Sequence, residues 1–194
     1  MLRIIAGEYR SRLLATPEGE DITRPWTGRA KESVFNLLRG WFEGARVLDL
    51  FAGVGSMGLE AASRGATEVV MVERSREVLR LAQANIDALG CGDRVRAVQA
   101  DALGPAALAE SPRPLDVLFV DPPYAFMEDE RRRASVLDQV ARCRELMAEK
   151  AFVVLRSPID PSDAALAIEG FAGPEVHRYG AGMYALLYMP RAQD

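Results

Sequence analysis

From Ala45 onward, short runs rich in Val, Leu and Ile alternate with longer segments whose apolar residues recur every three or four positions. Such alternation predicts a mostly parallel sheet joined by crossover helices. Strands are expected over Arg46–Phe51, Glu68–Glu73, Val95–Gln99, Asp116–Val120 and Phe152–Arg156, and helices opening near Ser56, Arg76, Pro105 and Arg131. In the helix after Arg76, the residues Val78, Leu79, Leu81, Ala82, Ile86 and Leu89 fall on one face, as a sheet-covering helix requires.

Beyond Ser157-Pro158-Ile159-Asp160-Pro161 the pattern changes. Glu175–Tyr179 and Met183–Met189 flank Gly180-Ala181-Gly182, which predicts a closing antiparallel hairpin. Before Ala45, Thr27–Phe42 reads as a helix with Val34, Leu37, Leu38 and Trp41 on its apolar side. Residues 1–26 carry several arginines with Pro17, Gly19 and Pro25, and are expected to form an arm or small subdomain, with a short hairpin as one form of it. The fold class is therefore α/β, a seven-stranded, mostly parallel sheet with an antiparallel edge hairpin. The expected division is an N-terminal arm and helix over 1–44 and a main domain over 45–194.

Composition narrows the chemistry. No run of about 18 apolar residues is present to span a bilayer, and Met1-Leu2-Arg3-Ile4-Ile5 lacks the features of a secretory leader, so a cytoplasmic location without a membrane partner is expected. Cys91, Cys143 and the single His177 assemble neither a disulfide framework nor a metal centre, so no metal is expected. The net charge is −4, yet residues 1–46 hold eight Arg or Lys against six acids while the remainder is acidic. A basic arm on an acidic body suits a polyanion docking at one end; an ordinary solvated surface fits the same charges.

Asp49-Leu50-Phe51-Ala52-Gly53-Val54-Gly55-Ser56-Met57-Gly58 is a strand end, a glycine turn and a helix start. Gly53, Gly55 and Gly58 match G-x-G-x-x-G, and Glu73 ends the next strand, where an acid holds ribose hydroxyls. Both a nicotinamide dinucleotide and S-adenosylmethionine satisfy that pattern. Asp49 would complement a cationic ligand and repel a pyrophosphate, and Asp101 follows the third strand where an adenine amine would lie. As bland alternatives, Asp49 is a turn carboxylate and Asp101 a helix cap.

The strand Asp116–Val120 delivers Asp121-Pro122-Pro123-Tyr124 to the carboxyl edge of the sheet. An exocyclic amine of a nucleobase is a poor nucleophile because its lone pair is delocalised into the ring. The Asp121 carboxylate and the Pro122 carbonyl, whose direction Pro123 restricts, offer two acceptors that localise the lone pair and aim it. Tyr124 offers a face on which an unstacked base can lie. Read alone, the tetrapeptide is also a simple strand-breaking turn with an aromatic lid.

Asp121-Pro122-Pro123-Tyr124 on this scaffold resembles the amino-methyltransferases that act on adenine N6, guanine N2, cytosine N4 or glutamine. Arg3-Ile4-Ile5-Ala6-Gly7-Glu8-Tyr9-Arg10-Ser11-Arg12 and Arg24-Pro25-Trp26-Thr27-Gly28-Arg29-Ala30-Lys31-Glu32-Ser33-Val34-Phe35-Asn36 add a similarity to the bacterial small-subunit rRNA guanine-N2 methyltransferase family, the RsmD type, over nearly the whole chain. The resemblance implies a Rossmann-like class I methyltransferase that uses S-adenosylmethionine on a guanine of small-subunit rRNA, in an assembling or assembled subunit. It implies that Asp121, Pro122, Pro123 and Tyr124 align the amine and that Asp49, Phe51, Gly53, Gly55, Gly58, Glu73 and Asp101 line the cofactor. Arg10, Arg12, Arg24, Arg29 and Lys31 are the expected RNA contacts. The chain departs from the family pattern at Ser11 (usually Gly), Trp26 (usually Thr) and Gly28 (usually Asp). Rival readings are adenine methylation in DNA, glutamine methylation, a nicotinamide-dependent oxidoreductase, and a non-catalytic RNA-binding assembly factor. The oligomeric state is open, and a monomer is compatible with the sequence.

Overall fold

A computed structural model describes residues 2–17, 26–162, 165–180 and 182–192. Seven strands form one sheet: β1 (Arg46–Leu50), β2 (Glu68–Glu73), β3 (Val95–Gln99), β4 (Leu115–Val120), β5 (Met147–Ser157), β6 (Phe171–Arg178) and β7 (Tyr184–Pro190). Their order is β3-β2-β1-β4-β5-β7-β6, parallel from β3 to β5 and antiparallel at β7 and β6. The bodies of β1, β2 and β4 are buried on both faces, so they read as continuous apolar runs rather than alternating ones. Strand order reverses between β1 and β4, and a ligand crevice opens at the carboxyl ends of such neighbours.

The helices are α1 (Gly28–Leu37), α2 (Ser56–Ser63), α3 (Arg76–Leu89), α4 (Pro105–Ala109), α5 (Tyr124–Glu128) and α6 (Glu130–Cys143). Side-chain caps set several starts: Thr27 accepts from the Ala30 N–H, Ser75 from that of Val78 and Asp129 from that of Arg132. One core, on the face of Met71, Phe119 and Val154, takes in α1, α2, α3 and arm residues Ile4, Tyr9 and Leu14; the other, around Leu48, Val70 and Leu118, takes in Met127 and Val136.

Four expectations shift. The first helix stops at Leu37, not Phe42, because Gly40 adopts a left-handed conformation in the turn that follows. Its buried face runs through Ala30, Lys31, Val34 and Phe35 to Leu38, leaving Leu37 and Trp41 exposed. The strand expected from Phe152 begins at Met147, and Tyr124 opens a short helix the apolar pattern did not show.

The arm is a short antiparallel ribbon: the Ile4 N–H donates to Arg12 O, the Ser11 N–H to Ile4 O and the Leu14 N–H to Leu2 O. It is fastened to α2, with the Ile5 and Ala6 N–H groups on the Glu60 carboxylate and the Tyr9 N–H on Ser63 Oγ. At Gly7, φ is +84° and a Cβ would lie 1.7 Å from Ser63 O, so no other residue permits this approach. The arm thus shares the main core instead of closing one of its own.

Candidate active site

Asp49, Glu73 and Asp121 converge on the carboxyl edge. Asp49 pairs in register with Met71 and Phe119, so the strand alternation turns all three acids to one face. Asp121 begins where β4 ends, and its N–H donates to Leu50 O at 3.2 Å, tying the tetrapeptide to β1.

Asp49 is buried; its Oδ2 accepts from the Gly58 N–H at 2.8 Å, and its Oδ1 has no hydrogen-bond partner. Burial drives its pKa up to about 8; the Gly58 N–H opposes the rise, the charges of Asp121 and Glu73 add to it, and Lys31 pulls against it. A buried carboxyl with one oxygen unsatisfied suits a cationic group. The three glycines divide their work. Gly53 has φ +57° and open space where a Cβ would be, whereas a Cβ on Gly55 or Gly58 would come within 2.8 Å of Met71 atoms. Gly55 and Gly58 therefore serve close packing of α2 on β2, and Gly53 leaves the turn clear for a ligand. Glu73 accepts from the Gly53 N–H (3.1 Å) and the Ser75 N–H (2.7 Å), which fixes its carboxylate beside the turn. Phe51 is half-buried with φ +60°, its ring 6.1 Å from that of Phe126. Asp101 is exposed and accepts from the Leu103 N–H at 3.0 Å. These residues fit an adenosine-bearing cationic cofactor: hydroxyl acceptors, an aromatic face and a buried acid on one edge.

Asp121 faces Arg156 at the end of β5, with Oδ1 2.5 Å from Nε; the contact is an ion pair whose alignment is poor for a hydrogen bond. Burial raises the Asp121 pKa to about 6, with Arg156 and the Trp26 indole N–H pulling it down. The Arg156 guanidinium lies over both the Tyr124 ring (5.1 Å) and the Trp26 ring (5.6 Å). Pro122 is buried, and Pro123 caps the helix that Tyr124 opens.

Sequence reasoning missed Arg156 and any role for Trp26. The one available signal was a charge ending the otherwise apolar run Phe152-Val153-Val154-Leu155.

The expected RNA contacts separate. Lys31 is a correction: it is 2% exposed, its ammonium 3.0 Å from Glu60 and donating to Arg3 O and Ser56 Oγ, so no phosphate reaches it. It lies on the inward face of α1, opposite to what its charge suggested. Arg10, Arg12 and Arg29 are exposed. Arg12 donates to Ala88 O in the last turn of α3, roughly 18 Å along that helix from its start at the carboxyl edge. Arg29, in the first turn of α1 just beyond Trp26, is nearer the tetrapeptide. Arg24 falls outside the described residues. Among the described residues, no cluster of His, Cys, Asp and Glu could hold a metal, and no helix is long and apolar enough to cross a membrane.

A seven-stranded sheet with this strand order, a glycine turn after β1 and Asp-Pro-Pro-Tyr after β4 defines the class: a Rossmann-like methyltransferase. The family described as Conserved hypothetical protein 95 matches residues 2–188, and the chain belongs to it. It is 32% identical over 186 residues to Ribosomal RNA small subunit methyltransferase D of Escherichia coli strain K12, covering 91% of this chain and 88% of that protein. It is 32% identical over 158 residues to the putative rRNA methyltransferase YlbH of Bacillus subtilis, covering 79% and 80%. The structure of the putative methyltransferase yhhF from Escherichia coli superposes with a TM-score of 0.81 at 29% identity, covering 99% of both chains.

Proposed function

We propose that this chain methylates the exocyclic N2 amine of a guanine in small-subunit rRNA, using S-adenosylmethionine. The observation that carries the reading is the fastening of Asp121 to Leu50, which sets the amine-aligning tetrapeptide beside the Asp49–Glu73 edge, in a chain whose relatives are named small-subunit rRNA methyltransferases. When bound, S-adenosylmethionine supplies an electrophilic methyl group on a sulfonium. Glu73 and Asp101 would hold its ribose and adenine, Phe51 would face the adenine, and Asp49 would meet its cationic end. Three acids on one edge disfavour a pyrophosphate, which weighs against a nicotinamide dinucleotide.

Asp121 and the Pro122 carbonyl accept from the amine N–H groups, localising the nitrogen lone pair, while Tyr124 stacks on the base. Asp121 need not be a strong base, because the added positive charge on nitrogen makes its proton easy to lose after transfer. Arg29 at the rim and the remote Arg10–Arg12 turn would contact phosphates.

The test incubates the protein and labelled S-adenosylmethionine with undermethylated small subunits, naked rRNA, duplex DNA and protein, and identifies the product by mass spectrometry. N2-methylguanosine in rRNA is expected. Label only in DNA as methyladenine, or only in protein, would overturn the assignment.

A further inference from the structure

We propose that Arg156 is a positioning residue for the amine-accepting site: packed against the Trp26 and Tyr124 rings and paired with Asp121, it sets the charge and direction of that carboxylate and the plane of the tyrosine. The inference rests on the reading of Asp121 as the amine acceptor given above.

Leu155 pairs with Val120 across β4 and β5, so the next residue on each strand, Arg156 and Asp121, meet at the carboxyl edge. Arg156 is 2% exposed and Trp26 4%, so the guanidinium lies inside the protein. A buried cation is tolerated only when its environment compensates it. Here the Asp121 carboxylate does so, and so do the Trp26 and Tyr124 rings, whose centroids lie 5.6 and 5.1 Å from the guanidinium carbon.

Two consequences follow for the chemistry. With Oδ1 engaged by Arg156, Oδ2 is the oxygen presented to an amine, so the carboxylate has a direction as well as a charge. And Tyr124, with the guanidinium over its ring, holds its ring plane before any base arrives, which lowers the cost of ordering it. The groups acting on Asp121 are Arg156 from β5 and Trp26 ahead of α1, with the carboxyl of Asp49 from β1 coupled to it. Arg156 is the cation among them. Trp26 and Arg156 both lie outside the tetrapeptide, so the contact is made by the surrounding fold.

The test has two readouts on the full-length protein. The first is the Asp121 titration by carbon-detected NMR without cofactor, which needs no activity. Arg156→Met should raise the Asp121 pKa by about one unit or more, since an adjacent guanidinium lowers a carboxyl by about one to three. Arg156→Lys should return it to near the wild-type value. The second is kcat against pH on the rRNA substrate, with S-adenosylmethionine affinity measured by calorimetry as a control on folding. The Met variant should bind the cofactor within about twofold of wild type, lose about tenfold or more in kcat, and have its acid limb displaced upward. An unmoved Asp121 titration in Arg156→Met, or the same displacement in Arg156→Lys, would overturn the proposal. If the Met variant does not fold, Trp26→Leu replaces it, with a smaller change in the same direction expected and no change overturning it. A displaced titration in a wild-type protein that methylates no rRNA would refute the functional reading and leave the Arg156 contact standing.

Discussion

The Lys31 ammonium lies 3.0 Å from Glu60 Oε2, and the two side chains are 2% and 0% exposed. Glu60 also accepts from Arg64, Ile5 and Ala6, so one carboxylate joins the arm, α1 and α2 beneath the glycine turn. Burial lowers the Lys31 pKa, and Glu60 opposes that shift. Glu60→Gln keeps the shape but leaves the cation uncompensated. It should destabilise the fold by about 3–5 kcal/mol, read by urea unfolding.

Asp121 should show its charge in the rate. With its pKa raised to about 6, the protonated form dominates below that value, so methyl transfer falls as pH drops through 6. Asp121→Ala should lose about 100-fold or more in kcat with cofactor affinity nearly unchanged. Asp121→Asn keeps one acceptor and nothing to titrate, so it should retain more activity and lose the acid limb. A single-turnover pH series on all three proteins checks this, and an acid limb persisting in the Asn variant would assign it to another group.

Asp49 makes the cofactor-free protein sensitive to base. Its folded pKa of about 8 lies above its unfolded value of roughly 3.9, so the folded state binds the extra proton in that window. The stability associated with that proton is complete below about pH 4 and lost as pH rises through 8. Asp49→Asn should flatten the decline in Tm between pH 5 and 8. It should also weaken S-adenosylmethionine binding and abolish proton release on binding, measured by calorimetry in buffers of different ionisation enthalpy.

Ser11 occupies a left-handed conformation, φ +68°, in the arm turn. Ser11→Gly should stabilise the protein by about 1 kcal/mol by relieving that strain. Thermal unfolding checks it, and a lower Tm would show that the serine side chain contributes more than its backbone costs.

Much of the candidate site was legible because its signals are local. The glycine turn, the acid ending β2 and the tetrapeptide ending β4 each sit where a strand stops, and strand ends can be read from apolar runs and breakers. The edge hairpin was legible for the same reason. Lys31 misled because charge on a helix near an arginine-rich arm reads as surface, while its side is decided by how α1 rotates on the sheet. Phe35, its ring tilted 4.8 Å from that of Phe42 and 5.5 Å from that of Phe119, turns the helix so that Lys31 points inward and Leu37 outward.

The sequence alone determined the sheet and the strand ends that carry the candidate site residues, since these follow from periodicity and from the breakers at adjacent positions. Only the tertiary structure decided which charges meet. Trp26, Asp121 and Arg156 come from three distant segments, and their contact depends on the register of β4 against β5 and on the seating of α1. Electrostatic pairing acts over a few ångströms of space, and no spacing along the chain encodes it.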